Sequence, residues 1–153
     1  MIPYRRILCP VDFSKASEDS LKEGSLLAGT LNAKLVVLNV VMPVVPQPDL
    51  LVSAGLDMQA YHELLTREAM RKLDAMVAGI VPAEVKSEKV VLIGYPAQTI
   101  DKYSCEQKVD LIVIATHGMT NWRHYVMGSV AHKVIHHACT PVLVVRASNQ
   151  GER

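Results

Sequence analysis

Two glycines and a serine in the last quarter of the chain are the residues best placed to do chemistry. The run DLIVIATHG ends on Gly118, and Gly128-Ser129 opens an amphipathic stretch that continues to Ala138. A glycine at a helix start lets an anion approach the backbone without meeting a Cβ. The free amide N–H groups of the first turn, helped by the helix dipole, then bind it. Ser129 adds a hydroxyl donor. On spacing alone, a glycine turn with a serine cap accounts for the same residues equally well. Asp12 closes the first apolar run, RRILCPVD, and is either a site carboxylate or a helix-start acid.

The remaining reactive side chains read more plainly. His132 and His136 stand four apart, with His137 adjacent and His124 upstream, a spacing that could set two imidazoles on one metal. A solvated helix face, cationic toward its carboxyl end, is the better reading. His117, beside Gly118, is the histidine expected to touch a ligand. Trp122 and Arg123 read as loop anchors, and Met119 and Met127 as packing residues. Cys9, Cys105 and Cys139 are odd in number and lack a CxxC, so they are expected as buried, reduced thiols. Cys9 lies inside an apolar strand with no activating partner and should be inert. The sequence contains no GxxxxGK[ST], GxGxxG or GxSxG, which removes the P-loop, the dinucleotide fingerprint and the hydrolase elbow.

The elements that must position these residues follow from hydrophobic patterning. Five apolar runs lie near residues 5–12, 33–42, 86–94, 110–118 and 140–146. LVVLNVV and LIVIA are apolar at almost every position, as strands covered on both faces are. Helical patterns fill the gaps: Ser14 to Asn32 with Ala16, Leu21, Leu27, Ala28 and Leu31 inward and Ser14 as cap, and Leu56 to Ile80. Pro96 to Gln107 with Ile100 and Tyr103, and Ser129 to Ala138 with Val130, Val134, Ile135 and Ala138, complete the set. Strand and helix alternating in this way predict an open, doubly wound α/β domain, with a parallel five-stranded sheet and helices on both faces. The connection MPVVPQPDLLVSAG, with three prolines, is expected as a flap or packed loop on the binding face.

Composition sets the outer limits. The chain has 153 residues, half of them hydrophobic and 20% charged, with mean hydropathy +0.19. That excludes disorder and coiled coil. Sixteen Lys plus Arg against fifteen Asp plus Glu give +1, so bulk charge attracts no nucleic acid. The longest apolar stretch, Leu35 to Val45, is broken by Asn39 and Pro43 and is too short to span a membrane. The amino terminus lacks a signal-peptide core, so a cytoplasmic protein is expected. One domain over residues 1–147 and a tail over 148–153 are expected, with no internal repeat.

The string ATHGMTNWRHYVMGSVAHKVIHHACTPVLVVR resembles the carboxyl-terminal signature of the universal stress protein family, and RRILCPVDFSKAS resembles its first strand and turn. The resemblance covers essentially the whole chain and implies a Rossmann-like fold with strand order 3-2-1-4-5. Nucleotide-binding members carry Gly-x2-Gly-x9-Gly-Ser/Thr; the matching positions here are Ala115, Gly118, Gly128 and Ser129, so the first glycine is alanine. By resemblance, Asp12 would accept hydrogen bonds from ribose hydroxyls, and Pro10, Val11 and Val41 or Val40 would wall the adenine. His117, Gly118, Gly128, Ser129 and Val130 would surround the phosphates, with Mg²⁺ bridging phosphate oxygens and no dedicated carboxylate cage.

The function expected is therefore adenine-nucleotide binding, ATP ahead of AMP or ADP, in a stress-response regulatory protein. No residue near the phosphates is an obvious base, so no enzyme activity beyond slow hydrolysis is expected. The alternative is a nucleotide-free dimeric protein working only through protein–protein contacts. An ATP-splitting enzyme with an SGGxDS loop is disfavoured, because VDFSKAS lacks the glycines. The apolar last strand, PVLVVR, is expected at a sheet edge, where it would pair with a second copy in a homodimer.

Overall fold

The computed structural model describes residues 4–43, 47–55, 57–116 and 127–146. Strands and helices alternate as β1 (Arg6–Pro10), α1 (Lys15–Leu31), β2 (Lys34–Val41), α2 (Pro48–Ser53), α3 (Met58–Ile80), β3 (Ser87–Ile93), α4 (Pro96–Glu106), β4 (Leu111–Ala115), α5 (Ser129–His137) and β5 (Val142–Val145). The strands form one sheet of order β3-β2-β1-β4-β5, parallel at every pairing. The expected topology is present.

The central strands are buried along most of their length. Leu8 of β1 lies between Val36 of β2 and Ile112 of β4, and all five residues of β4 are buried. Side chains of a strand alternate between the two faces, and the core divides accordingly. Ile7, Cys9, Leu35, Val37 and Val113 pack with Leu21 of α1 and Leu73 of α3. Leu8, Val36, Leu38, Ile112 and Ile114 pack with Ile100 of α4 and Val134 of α5. Leu21, Leu73 and Val134 are fully buried, each side chain contributing about 1.5–3 kcal/mol relative to exposure.

Helix α1 lies close to the sheet on a face of small residues. Ser17, Ser20, Gly24 and Ser25 are buried with Ala16, Leu21 and Ala28. The hydroxyls of Ser17 and Ser20 donate to the carbonyls of Ser14 and Ser17, at 2.9 and 3.0 Å, so burial leaves neither unsatisfied. Leu31, expected inward, is 45% exposed. In α5, Ala131 and Val134 are buried and Val130 and Ala138 pack partly buried against the same core, while Ile135 is 37% exposed. The proline-rich connection contains α2, which begins with Pro48 in the first turn, where a missing N–H costs nothing. No helix among the described residues is long and apolar enough to cross a membrane.

Candidate functional site

The strand order reverses at β1, whose neighbours β2 and β4 leave in opposite directions, and in such sheets the ligand crevice opens there, beyond the strand carboxyl ends. Leu8 is level with Ile112, and Pro10 with Leu38. Continuing both registers sets Val11 level with Ala115 and Asn39, and Asp12 level with Thr116 and Val40. Adjacent parallel strands are about 4.8 Å apart. Asp12, Val40, Val41 and Ala115 therefore lie together at the carboxyl end of the sheet.

Strand β1 stops at Pro10, two residues earlier than the apolar run suggests, so Asp12 lies in the turn beyond it. Its carboxylate is partly held. Oδ1 accepts from the Ser14 amide at 3.0 Å and the Ser14 hydroxyl at 2.5 Å, a turn that short acidic side chains favour. Oδ2 has no partner among the described residues. Ser14 also caps α1, its Oγ accepting from Ser17 N at 3.2 Å, as expected, and the Asp12 amide donates to Ser17 Oγ at 3.3 Å. Phe13 sits at φ 65°, the left-handed region that costs a non-glycine residue about 1–3 kcal/mol at a functional turn. Its ring packs against the α1–α3 side of the core, with Lys72 Nζ 5.9 Å from the ring centroid.

Asn39 was not singled out from the sequence as a site residue. It is 6% exposed, and its Nδ2 donates to the Val11 carbonyl at 2.8 Å. The Val11 amide in turn donates to the Leu38 carbonyl at 2.8 Å. The end of β2 thus clasps the segment that carries Asp12. A single amide in an otherwise apolar strand is the signal that identifies it, because a buried polar group needs a partner.

On the β4 side, the Gly128 amide donates to the Thr116 carbonyl at 2.6 Å. That bond brings the start of α5 to the end of β4 and occupies the one N–H of Gly128. Gly128 is the N-cap of α5 and no side chain among the described residues caps the helix, so Ser129 is not the capping serine that the alternative reading required. The amides of Ser129, Val130 and Ala131 belong to the first turn, where no carbonyl of the helix reaches them. Gly128 has φ −57°, which any residue adopts; what it contributes is the missing side chain. His117 and Gly118 lie outside the described residues, as do Met119, Trp122, Arg123 and His124.

His132 and His136 are exposed on α5 with ring centroids 4.5 Å apart, a solvated face in keeping with the plainer reading. The cysteines need a correction. Cys9 is buried, and burial pushes its thiol up to about 12 against a weaker, lowering hydrogen bond with Ser20. Cys105 and Cys139 are instead exposed and joined by a disulfide. Thirty-four residues of sequence separate them, and the sheet brings them together by setting the end of α4 beside the turn into β5. A groove of about 590 Å³ runs between α1 and α3 past Phe13, Lys22, Lys72 and Met76. A second, of about 970 Å³, borders α3 and Ile93. Neither has Asp12, Ala115 or Gly128 in its lining.

Sheet order, crevice and helices on both faces define a Rossmann-like α/β protein. The model of the universal stress protein family matches residues 3–146, and the chain belongs to that family. Universal stress protein MJ0577 of Methanocaldococcus jannaschii is 32% identical to it, over 97% of this chain and 98% of the relative. The solved structure of MJ0577 matches with TM-score 0.78 at 27% identity, over 97% of this chain and all of that one. Universal stress protein UspA from Lactobacillus plantarum matches with TM-score 0.71 at 32% identity, over 95% and 100%. A universal stress protein solved in complex with cAMP shares the fold, with TM-score 0.63 at 23% identity over 95% and 99%.

Proposed function

We propose that the chain is an adenine-nucleotide-binding regulatory protein of the cytoplasm, taking ATP ahead of AMP or ADP and working as a homodimer in a stress response. The observation that carries this reading is the pairing, across the β1/β4 switch point, of a carboxylate oxygen and a helix start that have, among the described residues, no partner and no side-chain cap. Asp12 Oδ2 accepts from the ribose hydroxyls, while Ser14 holds the other oxygen. Pro10, Val11, Val40 and Val41 wall the base, and Ala115 floors the crevice. The first-turn amides of Ser129 and Val130 take the phosphates, with Gly128 keeping the approach open. His117 and Gly118 are assigned to the phosphates by their place in the family signature alone, and Mg²⁺ would offset phosphate charge there without a dedicated carboxylate cage. The cAMP complex of a protein with this fold supports the ligand class. These contacts assign no base to an attacking water, so the function is binding and not turnover.

The homodimer rests on β5, a four-residue edge strand whose Leu143 is exposed. A two-fold axis would pair it with its copy and cover both edges. Light scattering at micromolar protein should give twice the chain mass.

Calorimetry with ATP and Mg²⁺ tests the ligand. A hydrogen bond to a charged group is worth about 1.5–3 kcal/mol, so Asp12→Ala should weaken binding by roughly 10- to 100-fold with the circular dichroism unchanged. Absence of heat at high protein concentration would sink the reading and leave a nucleotide-free interaction protein.

A further inference from the structure

We propose that Cys105 and Cys139 form a reversible redox site, a surface dithiol that closes to a disulfide under a peroxide and reopens under a small dithiol. The site lies at the end of α4 and at the turn into β5, the amino end of the sheet, and is independent of the nucleotide reading.

Three observations carry it. The two Cα atoms are 6.2 Å apart with the sulfurs joined, inside the span that a disulfide bridges without moving the backbone. Both residues are exposed, so oxidant and reductant reach them from solvent. Cys9, fully buried in β1, is sealed from both.

The frame around the pair also holds without the sulfurs. Ser104 is buried and its hydroxyl donates to the Asp101 carbonyl at 2.8 Å. The Val109 amide donates to the Ser104 carbonyl at 2.9 Å, and the Thr140 hydroxyl donates to the Val109 carbonyl at 3.3 Å. The Ile112 amide donates to the Pro141 carbonyl at 2.9 Å, and the Ala138 amide to the Val134 carbonyl at 2.8 Å. Opening the bond therefore leaves the two thiols side by side, ready to close again. Asp101 adds a reason to close. Its carboxylate and the two sulfurs lie within 4.8 Å of one another, with Asp101 Oδ1 3.9 Å from Cys105 Sγ. Three groups that ionise to anions become one when the disulfide forms.

The chemistry balances with hydrogen peroxide as oxidant. One thiolate attacks a peroxide oxygen; the S–O bond forms as the O–O bond breaks, and the departing hydroxide leaves as water with the proton released by that thiol. The second thiol attacks the sulfenic sulfur; the S–S bond forms, the S–O bond breaks, and the thiol proton leaves with the hydroxyl as a second water. A dithiol reverses the change by thiol–disulfide exchange, through a mixed disulfide, and is itself oxidised to its disulfide.

The test follows alkylation by mass spectrometry on the folded full chain. After dithiothreitol, two labels are expected, on Cys105 and Cys139, and none on Cys9. After hydrogen peroxide the labels should fall to none, with loss of two hydrogens, and a second reduction should restore both at unchanged far-ultraviolet circular dichroism. Cys105→Ser should instead leave a sulfenic acid on Cys139 that dimedone traps. A bond that opens only in denaturant overturns the proposal. So does peroxide that drives the two sulfurs to separate sulfinic acids or links two chains.

Discussion

Replacing Asn39 tests whether the end of β2 holds the Asp12 turn. Asn39→Leu keeps nearly the same shape and removes the Nδ2 donor that meets the Val11 carbonyl at 2.8 Å. Asn39 is 6% exposed and Val11 5%, so water does not readily replace the bond. An unsatisfied buried acceptor costs about 1–3 kcal/mol, and the added apolar burial returns up to roughly 1 kcal/mol. The net loss centres near about 1.5 kcal/mol, which in a domain of this size lowers the midpoint of thermal unfolding by roughly 3–6 °C. Asn39→Asp is the sharper companion. It sets a carboxylate oxygen against the carbonyl and buries a charge without a partner, so its loss should exceed that of the leucine variant. Thermal and urea unfolding followed by circular dichroism, with nucleotide affinity measured on the same samples, read the series. If Asn39→Leu is as stable as the parent, or Asn39→Asp is the more stable variant, the clasp is not what holds this turn.

Ser14→Ala removes the cap of α1 and the hydroxyl bond to Asp12 Oδ1 while leaving the amide bond in place, and denaturant titration should register a loss of about 0.5–2 kcal/mol. Gly24→Ala should stabilise the chain by about 0.5–1 kcal/mol, since α1 gains helix propensity. The new methyl would meet Cys9 at 3.6 Å and Leu35 at 3.7 Å, ordinary contact distances. Gly24→Val, measured alongside, should destabilise by overpacking. Glu88 is held below the usual carboxylate range, first by its hydrogen bond with Lys34 and then by the charges of Lys34 and Arg6. Its contribution is present above the ordinary glutamate pKa near ~4.3 and is lost as pH falls through the lowered value. Because the side chain is 37% exposed, Glu88→Gln at neutral pH should cost less than about 1 kcal/mol, and less again in high salt.

The strands, their parallel order and the Ser14 cap were legible because each rests on a local pattern: uninterrupted apolar runs, and a serine placed before a helical period. Helix α1 was harder to read. Apolar periodicity put Leu31 on the buried face, whereas the sheet takes Ser17, Ser20, Gly24 and Ser25, small residues of which Ser17 and Ser20 turn their hydroxyls back to backbone carbonyls. Close approach selects for size there, and hydrophobicity scales do not register it. Helix α2 went unread because PDLLVS is too short to show a period and sits among prolines. Of the site, Asp12 and Gly128-Ser129 could be named from strand ends and a helix start, while Asn39 and the Thr116 carbonyl act through contacts that only the register creates. The disulfide is the extreme case. Nothing in the spacing of Cys105 and Cys139 announces a partner, since what joins them is the return of the chain from α5 to the edge of the sheet.

That bond also changes the covalent topology of the chain. Closed, it makes a ring of every residue from Cys105 to Cys139, and the ring contains β4, Gly118, Gly128 and the whole of α5. A protease that cuts once anywhere inside it leaves a single molecule of unchanged mass apart from one added water. The two pieces part only after reduction. A nick in the segment assigned to the phosphates would therefore leave α5 tethered at its far end, and the oxidised protein can be opened at that segment without shedding the strand that follows.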